Sequence, residues 1–375
     1  MAITGGALML LSGAGALYML AAAWVLRRYF AAPPDAPMRD EGVTLLKPLH
    51  GAEPRLADNL STFLVQKHRG SVQMLCGVQR ADDPAIGVVE RIAGAELVLD
   101  PASHGASGKV SNLVNIAAHA RHEVIVLSDS DIAVAPDYLA RLLAALDAPG
   151  VGAVTCLYAG RGDAGFWSRV AAAGLNWQFL PGAVFGVALG MARPCMGSTI
   201  ALRRETLDAI GGFARFADVL ADDHAIGAAV EELGLTVAVP PMLVVHACDE
   251  TSLAALWRHE LRWAATVRGL VPEAAYAASV IGYPLPLALL AIPFAPGLAT
   301  PVAAFALAAR LFTAWTADRI AGARPASYLL IPLRDCLGFA IFVASFLARS
   351  VDWRGTRLHM AGNGRVETQV EKLTS

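Results

Sequence analysis

Four groups of polar residues carry chemical potential in a chain that is otherwise strongly apolar. The run Val124-Ile125-Val126-Leu127-Ser128-Asp129-Ser130-Asp131 leads an apolar strand directly into a D-x-D. Residues two apart on extended backbone point the same way, so Asp129 and Asp131 can approach one hard cation, Mg2+ or Mn2+, with diphosphate oxygens completing its shell. A capped turn before the helical stretch at Pro136 is the plainer use of the same acids. Earlier, Val78-Gln79-Arg80-Ala81-Asp82-Asp83-Pro84 sets Asp82 and Asp83 behind another strand-like run. A carboxylate there can accept hydrogen bonds from a nucleobase or ribose, although Asp-Asp-Pro is also ordinary turn chemistry. Leu220-Ala221-Asp222-Asp223-His224 opens a helical stretch that runs to Leu233. An acid in that position caps free amides, and Asp223 can also take a proton from an attacking hydroxyl. In Trp257-Arg258-His259-Glu260-Leu261-Arg262-Trp263, residues His259, Arg262 and Trp263 share one helical face. Arg262 suits bidentate contact with a diphosphate and Trp263 suits an aromatic wall; an amphipathic helix at a membrane surface accounts for the same residues without a ligand.

These groups need a scaffold, and the hydrophobic pattern supplies candidates. Short apolar runs at 43–46, 73–78, 96–99, 123–127 and 151–156 read as strands, and 111–120 and 136–146 have helical spacing. Their alternation predicts an α/β domain with a parallel, doubly wound sheet, which places ligands at the carboxyl ends of its strands.

Outside that region the chain reads as membrane protein. Of the 375 residues, 55% are hydrophobic and 17% charged, with a mean hydropathy of +0.49, beyond the range of ordinary soluble domains. Residues 1–26 carry no charge and end at Arg27 and Arg28, enough to span a bilayer. A signal peptide would carry its positive charge before the apolar core; here it follows, and the positive-inside rule puts Arg27, Arg28 and what comes after in the cytoplasm. The stretch 165–196, with Trp167, Trp177, Phe179 and only Arg169 and Arg193 as charges, reads equally as a buried helix pair or as an interfacial segment that meets a lipid. Apolar segments follow at 277–294, 301–317 and 327–348. Arg334 and Asp335 interrupt the last one and Arg residues flank both its ends, which points to a re-entrant hairpin or an interfacial helix plus a span. The resulting plan is an N-terminal transmembrane helix (1–28), a cytoplasmic catalytic domain (40–270), C-terminal membrane segments (276–350) and a cytoplasmic tail (351–375). A net charge of −2 offers no basic field for nucleic acid. The five cysteines are scattered without a C-x-x-C pair, against both a disulfide framework and a zinc site.

Taken in order, Asp82-Asp83, Asp129-x-Asp131, Ala221-Asp222-Asp223 and His259-x-x-Arg262-Trp263 resemble the D, D, D, (Q/R)-x-x-R-W pattern of the ceramide glucosyltransferase family, and within it the bacterial hopanoid-biosynthesis branch. Leu46-Lys47-Pro48-Leu49, Gly108-Lys109-Val110-Ser111-Asn112-Leu113 and Trp353-Arg354-Gly355 extend the likeness over residues 43–357. The resemblance implies a GT-A domain tethered by an N-terminal and several C-terminal membrane helices, in the inner membrane with the catalytic domain in the cytoplasm. It implies a UDP-sugar donor, a membrane lipid acceptor and inversion at the anomeric carbon. Carried over by position, Asp223 is the catalytic base, Asp129 and Asp131 hold Mg2+ or Mn2+, and Asp82, Asp83, Lys109, Asp129, His259, Arg262 and Trp263 bind the donor. The branch implies transfer of N-acetylglucosamine to bacteriohopanetetrol; glucosylation of ceramide is the near alternative, and a processive polysaccharide synthase shares the motifs but needs more spanning helices. Two departures stand out: His259 occupies the Gln/Arg position, and Asp131 completes a D-x-D that eukaryotic members lack.

Overall fold

The computed structural model describes residues 2–33, 36–219, 221–348, 350–353, 356–360 and 366–368. Leu220, Arg349, and Arg354 and Gly355 of the Trp353-Arg354-Gly355 match lie outside the described residues, as does most of the expected tail. By contacts the chain forms two compact units, each assembled from separated stretches: Ala32–Tyr158 with Ala192–Asp249, and Met1–Ala31 with Ala159–Met191 and Glu250–Ser375. Residues 159–191 and 250–270, expected within a single 40–270 domain, thus group with the apolar helices.

The first unit is α/β. Strands β1 (Val43–Pro48), β2 (Val72–Val78), β3 (Ala95–Leu99) and β4 (Val124–Leu127) pair in parallel in the order β3-β2-β1-β4. All four residues of β4 are buried, the continuous apolar strand that a parallel sheet covered on both faces requires. Beyond β4 the sheet departs from the parallel expectation. After β5 (Ile132–Ala133), β6 (Val151–Thr155) and β7 (Leu157–Gly162), strand β8 (Ile200–Arg203) inserts antiparallel between β4 and β6. Strand β9 (Thr236–Ala238) then runs parallel to β6 at the edge, so the seven-stranded sheet is mixed. Separately, β10 (Leu243–Cys248) pairs antiparallel with β5, setting His246 opposite Ile132. The helix Gly108–Ala117 begins three residues before the expected start, capped by Ser107, whose Oγ accepts from Val110 N. Asn112 on that helix donates to Gly77 O of β2 at 2.8 Å. A Cβ at Gly77 would stand 2.1 Å from Asn112 Oδ1, so glycine is what lets helix and sheet approach.

Among the described residues, the second unit has four helices long and apolar enough to cross a membrane: Ile3–Tyr29, Phe166–Ala188, Pro296–Ala321 and Tyr328–Ser345. Phe166–Ala188 is continuous rather than a helix pair, passing through a π-helical turn at Leu175–Phe179. The bent element also lies elsewhere than expected. Glu273–Gly282 and Pro284–Ala291 meet at 77°, since Tyr283 precedes a proline and leaves helical geometry (φ −120°, ψ 55°). Tyr328–Ser345 runs unbroken because its charges find protein partners. Asp335 takes a two-pronged contact from the fully buried Arg310 at 2.8 and 2.8 Å, and Arg334 meets Glu260 at 2.8 Å.

Truncating one member of a buried ion pair leaves the other charge without compensation. Asp335→Ala should therefore destabilise the protein by about 3–5 kcal/mol in denaturant titrations in detergent, and pairing it with Arg310→Met should recover most of that loss. A double variant no more stable than Asp335→Ala would show that Arg310 is not the group left unsatisfied.

Candidate active site

The site is built from the end of β1 outward. Lys47 there is fully buried. Its ammonium donates to Ser128 Oγ at 2.9 Å and to Asp129 O at 3.0 Å, and lies 3.4 Å from the centroid of the Phe63 ring. Burial pulls this ammonium down to about 7, with the Asp129 carboxylate the chief opposing influence. Lys47 thereby anchors the backbone of the turn on which the D-x-D sits.

A second lysine organises the side chains. Lys109 Nζ lies 2.8 Å from Asp129 Oδ1 and 3.4 Å from Asp222 Oδ2, bridging the end of β4 to the start of the helix Asp222–Glu232. Burial works against its charge, but Asp129, Asp222 and Asp223 together outweigh it and hold the ammonium well above the ordinary lysine range. Asp222 is the more weakly served partner: burial, reinforced by Asp223 and Asp129, pushes its carboxyl up to about 6, against the pull of Lys109. Asp223 is only half-buried. Its Oδ2 accepts from Gly197 N at 3.0 Å and its Oδ1 from His224 N at 2.8 Å, so two amides aim the carboxylate on the first turn of that helix. Gly197 O in turn accepts from Asp129 N, which places the Gly197 backbone between the two acidic motifs.

Asp131 takes a different partner, His246, whose Nε2 lies 3.3 Å from Asp131 Oδ2; the Ala247 amide donates to Asp131 O and the Tyr158 ring lies 5.5 Å from the imidazole. Among the described residues no three His, Cys, Asp or Glu side chains converge into a complete metal cage. Asp129 and Asp131 nonetheless offer carboxylate oxygens, the ligand type that Mg2+ and Mn2+ prefer. A Cβ at Gly197 would stand 2.8 Å from Asp129 Oδ2 and 2.9 Å from Lys109 Nζ, space that glycine leaves beside the carboxylate. Two such carboxylates fit a divalent cation as part of its oxygen shell.

The other expected site residues have partners of their own. Asp83, with its side chain 3% exposed, accepts from the Gly51 and Ala85 amides at 3.0 and 2.9 Å and so ties the loop after β1 to the end of β2. Asp82 is 70% exposed and paired with Arg80. His259, Arg262 and Trp263 stand on the helix Leu253–Leu270 of the second unit, where His259 contacts Glu250. Sequence reasoning missed Gly197 and His246; neither lies in a local pattern, and His246 is brought to Asp131 only by the register of β10 on β5.

A sheet of this topology with paired carboxylates at the end of β4 is a GT-A-like α/β fold, that of nucleotide-sugar glycosyltransferases. Mannosyltransferase PcManGT from Pyrobaculum calidifontis, solved in complex with GDP-Man and Mn2+, shares the fold: TM-score 0.52 at 22% identity, over 92% of this chain and 99% of that one. Residues 7–366 match glycosyl transferase family 21, and the chain belongs to that family. Among its relatives, ceramide glucosyltransferase 1 of Caenorhabditis elegans is 23% identical over 226 residues, 57% of this chain and 47% of the nematode protein. The ceramide glucosyltransferase of Candida albicans is 25% identical over 109 residues, 24% of this chain and 20% of the yeast protein. The chain thus spans about half the length of the first and a fifth of the second.

The Asp222 carboxyl predicts a pH dependence. Its pKa is about 6 in the folded chain against 3.8 for the unperturbed group, so the folded state binds this proton more tightly. The resulting stability is complete below about pH 4 and lost as pH rises through about 6. In metal-free protein, Asp222→Asn should remove a stability loss on the order of 3 kcal/mol between those limits, read as the change in unfolding midpoint with pH. Parallel pH profiles for variant and wild type would show that Asp222 does not titrate in this window.

Proposed function

We propose that the chain moves a hexose or N-acetylhexosamine from a UDP-sugar to the hydroxyl of a membrane lipid, with inversion at the anomeric carbon. The observation that carries this reading is the Lys109 ammonium bridging Asp129 and Asp222 beside Asp223, a half-buried carboxylate aimed by two amides. In the proposed single displacement, Asp223 takes the proton of the lipid hydroxyl as its oxygen attacks the anomeric carbon. The bond from that carbon to the diphosphate breaks on the opposite face, and UDP departs. Lys109 stabilises the charge that develops on the departing diphosphate. A Mg2+ or Mn2+ ion held by Asp129 and Asp131, with His246 alongside, supplies further positive charge there when bound. On the motif match, Arg262, His259 and Trp263 also serve the donor, and Asp82 or Asp83 holds uridine.

A lipid acceptor is supported by two relatives named as ceramide glucosyltransferases and by four helices, among the described residues, with the length and hydropathy to cross a bilayer. By the positive-inside rule, Arg27 and Arg28 support a cytoplasmic position for the α/β unit at the inner membrane. The motif resemblance favours N-acetylglucosamine and bacteriohopanetetrol; the relatives' names favour glucose and ceramide.

Mass spectrometry of product lipids decides among these. Purified protein in lipid nanodiscs, given each UDP-sugar in turn with a polyhydroxylated hopanoid or ceramide, should yield a lipid heavier by one sugar unit. Asp223→Asn should bind UDP-sugar normally yet turn over at least about a hundredfold more slowly. A polymeric product, free sugar without glycolipid, or an Asp223→Asn variant with wild-type turnover would contradict the proposal.

A further inference from the structure

Lys109 is shared unequally between two carboxylates of the α/β unit. Its Nζ lies 2.8 Å from Asp129 Oδ1 and 3.4 Å from Asp222 Oδ2, a full charge-assisted contact on one side and a slack ion pair on the other. Asp129 is also the acid that the proposed cation needs. An ammonium and a divalent ion on one carboxylate repel each other, so filling the cation site requires a second place for the lysine. The neighbouring acids leave one. Asp223 keeps both oxygens on amides, those of Gly197 and His224, and Asp131 stands against His246. Asp222 is buried on the first turn of its helix, and its ion-pair partner is Lys109. The backbone at Lys109 is fixed, because Ser107 caps the helix Gly108–Ala117. Its ammonium is less confined: a Cβ at Gly197 would stand 2.9 Å from Nζ, and glycine keeps that space open. A small rotation of the lysine stem therefore lengthens one contact and shortens the other, a freedom that a compact ammonium on four carbons has and a planar guanidinium fork lacks.

We propose that Asp222 is a positioning residue that receives the Lys109 ammonium when Asp129 is given over to a divalent cation. Without that cation Lys109 neutralises Asp129, so the gathered carboxylates are tolerated in the empty site. With it, Lys109 moves its contact to Asp222 and stays charged beside the diphosphate that it is proposed to stabilise. Lys109 is then a competitor for the cation, and Asp222 is what makes the competition mild. This inference rests on the proposed reading of Asp129 and Asp131 as cation ligands.

Binding of Mn2+ to the purified full-length protein at pH 8, without nucleotide, tests it; the loss of the free-ion paramagnetic resonance signal is followed up to millimolar Mn2+. Lys109→Met should tighten Mn2+ on the order of tenfold, since the competing ammonium is gone, and Asp222→Asn should weaken it by a similar factor, since the ammonium then stays on Asp129. In the Lys109→Met background, Asp222→Asn should change little, because its effect runs through the lysine. Asp222→Glu, which keeps the charge, should bind Mn2+ nearly as wild type does, so a loss caused by a damaged fold is told apart by appearing in both Asp222 variants. Unaltered or weaker Mn2+ binding in Lys109→Met overturns the proposal. An Asp222→Asn loss of equal size in both backgrounds overturns it too, because Asp222 then acts only as one more negative charge near the ion. Asp129→Asn separates two kinds of failure. If it binds Mn2+ as wild type does, or if none of these proteins binds the ion, the cation reading of the D-x-D falls and this inference with it. If it loses Mn2+ while the Lys109 and Asp222 variants match wild type, only the exchange between carboxylates falls.

Discussion

The Lys109 ammonium, 2.8 Å from Asp129 and 3.4 Å from Asp222, is the contact on which the architecture of the site depends. Asp129 arrives on the end of β4, Asp222 and Asp223 on the first turn of a helix from a distant part of the chain, and Asp131 two residues past Asp129. Carboxylates gathered this closely repel one another and resist burial, so the fold must supply positive charge and amide donors where they converge. Lys109 supplies the charge, the Gly197 and His224 amides hold Asp223, His246 stands against Asp131, and Lys47 fixes the underlying backbone. On the proposed reading, a divalent cation and a diphosphate bring to this site charges of the same kinds as those already paired there.

The same rule governs the helical unit, under stricter conditions. Arg310 has no exposed surface, and its guanidinium is saturated by both oxygens of Asp335 and by Trp177 O at 2.7 Å. Trp177 passes the network on through Nε1 to Asp318 at 2.9 Å. Thr313, one turn beyond Arg310, donates to Met19 O of the N-terminal helix. These polar residues in segments of spanning length thus face protein, and they stitch together the helices that carry them.

Much of this was legible from the residues alone, and the misses have physical reasons. The apolar runs at β1, β2, β3, β4 and β6 are strands to within about two residues of their pattern, because a doubly covered sheet leaves no alternative for Val124-Ile125-Val126-Leu127. The antiparallel insertion of β8 was not legible: Ile200–Arg203 is four residues long and follows an apolar stretch that masks it. Arg334 and Asp335 read as interruptions because their partners, Glu260 and Arg310, are remote in sequence, whereas the true bend at Tyr283 follows from the local chemistry of a residue before proline. At the site, the D-x-D and Asp222-Asp223 come together as their order suggests. His246 and Gly197 could not be found by spacing, since a strand register and a backbone crossing bring them in. Asp82 and Asp83, alike in sequence, part company in the fold, one solvated and one capping a loop.

Calorimetric titration of Mn2+ into the purified protein, with and without UDP, tests most directly whether the Lys109-bridged carboxylates form a nucleotide-diphosphate site. The protein offers only part of a cation's shell, so UDP should tighten Mn2+ binding by at least about tenfold, and Asp129→Asn with Asp131→Asn should abolish that coupling. Mn2+ affinity that is indifferent to UDP, or coupling that survives loss of both carboxylates, would contradict the assignment.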